Sequence, residues 1–392
     1  MIEVSVAVAR RVRELPRVGS RATDASIEEM QSAGSGVLPL TAYPKRPLPE
    51  TVVQAATDAA RSPRRAPAQG LPELRQAIAE RLECEIGSRV DIDRVIVTTG
   101  AMDALNYALT LLLDPGDEVL VFSPCYFFDG VVRLAGGTIR YVPLQESENY
   151  AYRVQALEAA VSPRTRAILI TNPNNPTGHV ATGEELHAVA DVAIRHSLTI
   201  VSDESFETLV YDGREHRCIL GVPGLEERAI LVRSFSKSYC LAGLRVGYLV
   251  APRPMVPHCV KLLEWRTLFN PYGGQKMAAA ALRAPPEWRE GLALEFQGCR
   301  DTMVEGIRSA TPFSAIVPQG APFVFLNLGS PTVDCTRASD VLLRQFGVPC
   351  TAGRLHQEPG HVRIAFGGST ATIGEAVRRI GRAAGAIGCA PA

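Results

Sequence analysis

From about residue 50 to residue 252 helical and strand patterns alternate along the chain. VIVTTG (95–100), VLVFSP (119–124), AILITNP (167–173), LTIVSDE (198–204), AILVRSF (229–235) and RVGYLVAP (245–252) read as buried strands. LPELRQAIAERLEC (71–84), AMDALNYALTLLL (101–113) and GEELHAVADVAIRHS (183–197) place apolar residues on one helical face. Strands that are apolar on both faces need cover on both sides. Strand–helix alternation supplies it, so the expected fold class is α/β, a mainly parallel sheet between helices. Ligands of such sheets bind beyond the carboxyl ends of the strands, which directs attention to the residues that follow each run.

After about residue 285 the pattern changes. FVFLNLG (323–329) and HVRIAFGG (361–368) are strand-like, and a helix is expected over 371–386. With 392 residues and roughly 150 per domain, the expected organisation is an N-terminal arm (1–45) with one or two short helices, a large domain (46–284) and a smaller α+β domain (285–392) that the arm joins.

Charge narrows the partners. Lys plus Arg (41) equals Asp plus Glu (41), so neither nucleic acid nor an anionic membrane is an expected partner. No apolar run is long enough to span a bilayer. The first 21 residues do not read as a signal peptide, because their Arg residues follow a short, interrupted apolar stretch. The nine cysteines are scattered and never spaced as CxxC. They read as free thiols of a reducing, cytoplasmic compartment, with no disulfide frame and no metal site.

The chemistry concentrates after the strands. Lys237, in SFSKSYCLAGLRVGY (234–248), is a candidate for imine formation with an aldehyde if its amine is held partly desolvated. Ser234 and Ser236 offer hydroxyls beside it, and Arg245 offers a planar fork suited to phosphate. Gly100, Ala101 and Met102 sit where a strand enters a helix, whose free N–H groups can bind phosphate. Asp203 ends a strand, where it is either a helix cap or a functional carboxylate. Asn175, in TNPNNPTG (171–178), lies in a loop of turn residues.

The pattern SxSKxxxxxGxR, with TNPNNPTG upstream, resembles the cofactor-lysine signature of class I/II aminotransferases, which are fold-type I enzymes dependent on pyridoxal 5′-phosphate (PLP). The resemblance runs from about residue 37 to 385. It implies that Lys237 holds PLP as a Schiff base, Asp203 pairs with the pyridine nitrogen and Asn175 donates to the phenolic oxygen. It implies also a phosphate cup from the Ala101 and Met102 backbone with Arg245, a ring stack by Tyr126 in SPCYFFDG (123–130), and an α-carboxylate grip by Arg363 in GHVRIAFGG (360–368). Its members form homodimers with active sites at the subunit interface, and the implied substrate is a small amino acid.

Four positions depart from that pattern. Phe206 stands where the family has a Tyr hydroxyl on the phenolic oxygen, so the cofactor–lysine chromophore should hold its proton more tightly. Arg65 stands where a Tyr reaches the neighbouring subunit's phosphate, and is either a phosphate or acidic-group contact or a surface arginine. Ala42-Tyr43-Pro44 replaces Gly-Glu-Pro on the substrate side, so that Tyr43 either reshapes the pocket or simply packs. His356 replaces a Phe, and is either a structural histidine or a substrate contact and proton carrier. The implied reaction is transamination. Elimination, cyclisation and oxidation by molecular oxygen are its rivals, and a catalytically silent PLP-binding protein is a remote one. In having Phe206 the chain resembles some fold-type I enzymes of antibiotic biosynthesis, including arginine-modifying oxidases and a capreomycidine-forming cyclase, and that resemblance implies a modest shift from plain transamination and an expected place in secondary-metabolite biosynthesis.

Overall fold

The apolar runs form strands β1 (Val95–Thr98), β2 (Glu118–Ser123), β3 (Thr138–Pro143), β4 (Thr165–Thr171), β5 (Thr199–Asp203), β6 (Ala229–Ser234) and β7 (Gly247–Val250). The computed structural model describes residues 8–16, 19–32, 34–43 and 46–388, so Pro44 and Cys389 lie outside them. The strands make one sheet in the order β1-β7-β6-β5-β4-β2-β3. Neighbours from β6 to β3 are parallel, and β7 runs antiparallel to β1 and β6. Every residue of β2 and β6 is buried, as a sheet covered on both faces requires. The sequence reading did not include β3. It lies at the sheet edge and alternates exposed with more buried residues, so its TIRYVP lacks the continuous apolar signal.

Helices cover the sheet for local reasons. The helix Ala101–Leu112 turns Ala104, Leu105, Tyr107, Ala108 and Leu109 inward. The helix Gly183–Arg195 opens with a reciprocal capping box between Thr182 and Glu185 and buries Leu186, Val189, Ala190 and Ala193, the spacing of one helical stripe. Glu185 does more than cap. It accepts from the backbone N–H of Tyr152 at 2.6 Å and meets His179 Nε2 at 3.0 Å, which anchors the loop that follows β4.

A second, antiparallel sheet has the order β10-β11-β9-β8, from β8 (Ser314–Ala315), β9 (Phe323–Asn327), β10 (Thr351–Ala352) and β11 (His361–Ala365). The helices Pro286–Ala310 and Thr370–Ile387 pack with it around a separate apolar cluster that includes Leu38. The N-terminal segment carries the helices Arg10–Arg13 and Gly19–Ser32. It then bonds to the second sheet's surroundings, with Leu38 N–H to Gly347 O at 2.8 Å and Thr41 paired to Gly367. That pairing sets Ala42 and Tyr43 beside the end of β11. Among the described residues, no helix is long and apolar enough to cross a membrane.

Candidate active site

The carboxyl ends of β1, β2, β4, β5 and β6 share one edge of the large sheet, and the candidate residues gather there. Gly247 opens β7 between Thr98 and Ser234. A Cβ on it would meet the Gly100 carbonyl carbon at 2.6 Å, so the turn after β1 and the loop after β6 touch only because this residue is glycine. Gly100 itself has φ 85° and caps the helix Ala101–Leu112. The N–H groups of Ala101 and Met102 lie in its first turn, where helical N–H groups lack intrahelical acceptors. Arg245, in a left-handed conformation at φ 53°, aims its guanidinium at this turn: a Cβ on Gly100 would lie 2.5 Å from Nη2. Nη1 donates to Ser236 Oγ at 3.4 Å and to Ala242 O at 3.2 Å, and the Ser234 hydroxyl donates to Ser236 Oγ at 2.9 Å. Two hydroxyls, a guanidinium fork and a helix start thus converge on one locus, the kinds of donor that suit an anion.

Lys237 lies in the short helix Phe235–Ser238 that follows β6. Burial, then the positive charges of Arg363 and Arg245, hold its amine well below the usual lysine range. Its Nζ sits 3.1 Å from the centroid of the Tyr43 ring and 5.8 Å from that of Phe206. A neutral amine in such a place is a nucleophile and a base.

Asp203 ends β5 and is buried. It accepts from Ser205 N–H at 3.1 Å and Ser205 Oγ at 2.6 Å. Burial outweighs those bonds and pushes its carboxyl up to about 6. Among the described residues its donors are neutral, and a buried carboxylate so placed suits an incoming cation.

Arg363, on β11, reaches across to the large sheet. Its Nη1 donates to Asn175 Oδ1 at 2.9 Å, while its guanidinium lies 4.4 Å from the Phe323 ring centroid and 5.6 Å from that of Phe127. Burial lowers it to about 10. Asn175 is held in the loop after β4, where Asn174 Oδ1 accepts from the N–H and hydroxyl of Thr177. Tyr126 follows β2 in the same region, with its ring 4.9 Å from Phe127 and 5.6 Å from Phe128.

The departures fall into two groups. Phe206 and Tyr43 are at the site. Phe206 is buried edge-on against Phe323 at 5.6 Å, and Tyr43 lies over Lys237 although nearly half exposed. Ala42 is half-buried beside Tyr43. Arg65 is exposed and is not brought to this chain's own site. His356 is fully buried, with Nδ1 2.8 Å from Cys125 O and Nε2 3.2 Å from Thr351 Oγ1. Burial and then Arg363 hold it well below the usual histidine range. Both ring nitrogens meet protein atoms, an arrangement that favours the structural reading of this histidine over a substrate contact or proton carrier.

Sequence reasoning missed a buried ionic cluster behind the site. Arg233 pairs with Glu85 at 2.7 Å and Glu204 at 2.8 Å, and His216 Nδ1 lies 3.1 Å from Glu85. The signal was present. Arg233 is a charged residue inside the otherwise apolar strand β6, one position from Ser234, and Glu204 directly follows β5, one position after Asp203.

Comparison with known proteins shows the family. The family model for aminotransferase class I and II matches residues 36–380. An aspartate aminotransferase of Geobacillus stearothermophilus is 31% identical over 96% of this chain and 98% of its own length. An arginine–pyruvate transaminase of Pseudomonas aeruginosa is 32% identical over 85% of this chain and 86% of its own. The structure of an aspartate aminotransferase from Thermus thermophilus with maleate superposes with a TM-score of 0.91 at 31% identity, covering 96% of this chain and 99% of that one. The chain belongs to the class I and II aminotransferases, and it is an enzyme of their α/β, fold-type I architecture.

Proposed function

We propose that this enzyme binds PLP through Lys237 and transaminates a small α-amino acid. The observation that carries the reading is the convergence of Lys237, Asp203, Asn175 and Arg245 on one sheet edge, with Arg363 reaching in from the second sheet. The site fits the cofactor's three ends. Arg245, Ser234, Ser236 and the N–H groups of Ala101 and Met102 would hold the phosphate. Asp203, buried and bonded to Ser205, would hold the protonated ring nitrogen, and Asn175 the phenolic oxygen. Tyr126 would cover the ring. Bound there, PLP would supply an aldehyde for the amine and a ring that takes up the electron pair of a breaking Cα–H bond.

The chain's own residues do the rest. Arg363 grips the substrate carboxylate with its fork and so fixes which Cα bond is aligned for cleavage. Lys237, kept neutral by its surroundings, would be the base that takes up the substrate's Cα proton and holds it for return. Phe206, Tyr43 and Phe323 exclude water from that path. The N-terminal arm, the large unit to residue 284 and the small unit beyond it are read as the working parts that bring these groups together.

Two copies are expected to assemble, with Arg65 reaching the partner's phosphate end. Exposed Trp265, Leu268 and Phe269 support this, since the adjoining Asn270 bonds Thr99 beside the phosphate turn at 2.8 Å.

The test is a single-turnover screen of amino acids against the PLP-loaded protein, with and without oxygen. Aminated cofactor and keto acid in equal amounts are expected. Ammonia released without aminated cofactor would overturn the reading in favour of elimination or oxidation.

A further inference from the structure

His356 belongs to the turn Gly353–His356, which joins β10 to β11. Its side chain leaves that turn and crosses to the large sheet. Nδ1 faces Cys125 O at 2.8 Å, and the Cys125 N–H returns a bond to His356 O at 3.2 Å. Because a carbonyl only accepts, Nδ1 carries the proton. The neutral ring then accepts at Nε2 from the Thr351 hydroxyl, 3.2 Å away. Cys125 immediately precedes Tyr126. Thr351 lies directly opposite Arg363 in the β10–β11 pairing. The His356 ring also packs on Phe127 at 4.7 Å and edge-on to Phe325 at 6.0 Å, and Phe325 is the residue opposite Arg363 on β9. One buried side chain therefore touches the loop that bears Tyr126 and both strands that flank Arg363.

We propose that His356 is a positioning residue: it pins the Tyr126–Phe127 loop to the strand carrying Arg363 and so sets the angle at which a carboxylate held by Arg363 is offered to the ring covered by Tyr126. This rests on the transaminase reading of the same site. A phenylalanine here, as the family pattern has, fills the space but makes neither bond. The pin is specific to a ring or amide that can donate toward Cys125.

The test compares His356→Phe, His356→Asn and Thr351→Val with the parent protein. Hydrogen exchange is measured on the cofactor-free form over residues 120–130, and single-turnover rate and substrate Kd on the PLP-loaded form. His356→Phe is expected to speed exchange in that segment and to cut the single-turnover rate by about tenfold or more, since small misalignments of a reacting bond are costly. Its substrate Kd should move by less than about threefold, because Arg363 is retained. His356→Asn, which keeps a donor, should recover most of both effects, and Thr351→Val should show a weaker form of them. Equal exchange and equal rate in His356→Phe would overturn the proposal. So would an Asn variant as impaired as the Phe variant. If the parent protein turns over no amino acid, the transaminase reading fails and the exchange comparison still decides whether the pin exists. If His356→Phe does not fold, Thr351→Val carries the test, and parental exchange and rate in it would count against the pin.

Discussion

Arg363 Nη1 donates to Asn175 Oδ1 at 2.9 Å, a bond from a strand of the small sheet to a loop of the large one. The Asn side chain thereby orients the guanidinium, and the Phe323 ring supports it from one side at 4.4 Å. A carboxylate would meet a fork already in place, so little side-chain entropy is lost on binding.

Arg363→Lys should therefore be far from conservative. A lysine supplies charge but neither the planar fork nor the bond to Asn175. Loss of a bidentate, charge-assisted contact is expected to lower kcat/KM by about 100-fold, roughly 3 kcal/mol. PLP content, read from the absorbance of the purified protein, should not change. Loss of PLP in parallel with activity would place Arg363 among the cofactor contacts instead.

Asp203 sets stability against function. Its carboxyl is raised to about 6 from 3.8 by burial, so the folded cofactor-free protein binds this proton more tightly than the unfolded chain. Stability from this group is therefore fully present below about pH 4 and is lost as pH rises through about 6. Asp203→Asn should match the cofactor-free parent near pH 4 and exceed it at pH 8 by up to about 3 kcal/mol, while losing activity. Denaturant melts of both forms at the two pH values measure this. An Asn variant less stable at pH 8 would contradict it.

Phe206→Tyr tests the missing hydroxyl. Phe206 is buried, 5.8 Å from Lys237 Nζ and against Phe323. Adding a donor near the cofactor's phenolic oxygen stabilises the deprotonated chromophore, so its absorbance titration should move to lower pH by about one unit. Unchanged titration would mean that the new hydroxyl points elsewhere.

Much of this was legible in the sequence because local pattern and chemistry coincide. The strands ending at Asp203 and Ser234 are short, largely apolar and flanked by turn residues, so both the sheet and the edge that carries the candidate residues could be read. The signature around Lys237 located the amine without any knowledge of its neighbours. What escaped depends on long-range contact. His356 lies 231 residues from Cys125 along the chain, and no local pattern tells a pinned histidine from one that faces substrate. The edge strand β3 escaped for another reason, since exposed residues such as Arg140 weaken the apolar signal. The pairing of Arg233 with Glu85 spans 148 residues, and only the oddity of a charge within AILVRS hinted at it.

That cluster supports the last prediction. Arg233 is 2% exposed and holds Glu204, which is fully buried, and Glu85. Burial alone would raise the Glu85 carboxyl, but Arg233 and His216 hold it well below the usual carboxylate range. Arg233→Met leaves two carboxylates without their cation and should cost about 3–5 kcal/mol in chemical denaturation. Converting the three together, Arg233→Met with Glu85→Gln and Glu204→Gln, removes the charges along with the unpaired state and should recover most of that loss. The acid limb gives an independent check. A carboxyl depressed on folding contributes stability that is present above its unfolded pKa, about 4.3, and is lost as pH falls through its folded value. Glu85→Gln should therefore flatten the fall in stability below pH 4. A single Arg233→Met variant as stable as the parent protein would mean that the sheet edge bearing Asp203 and Ser234 does not depend on this cluster.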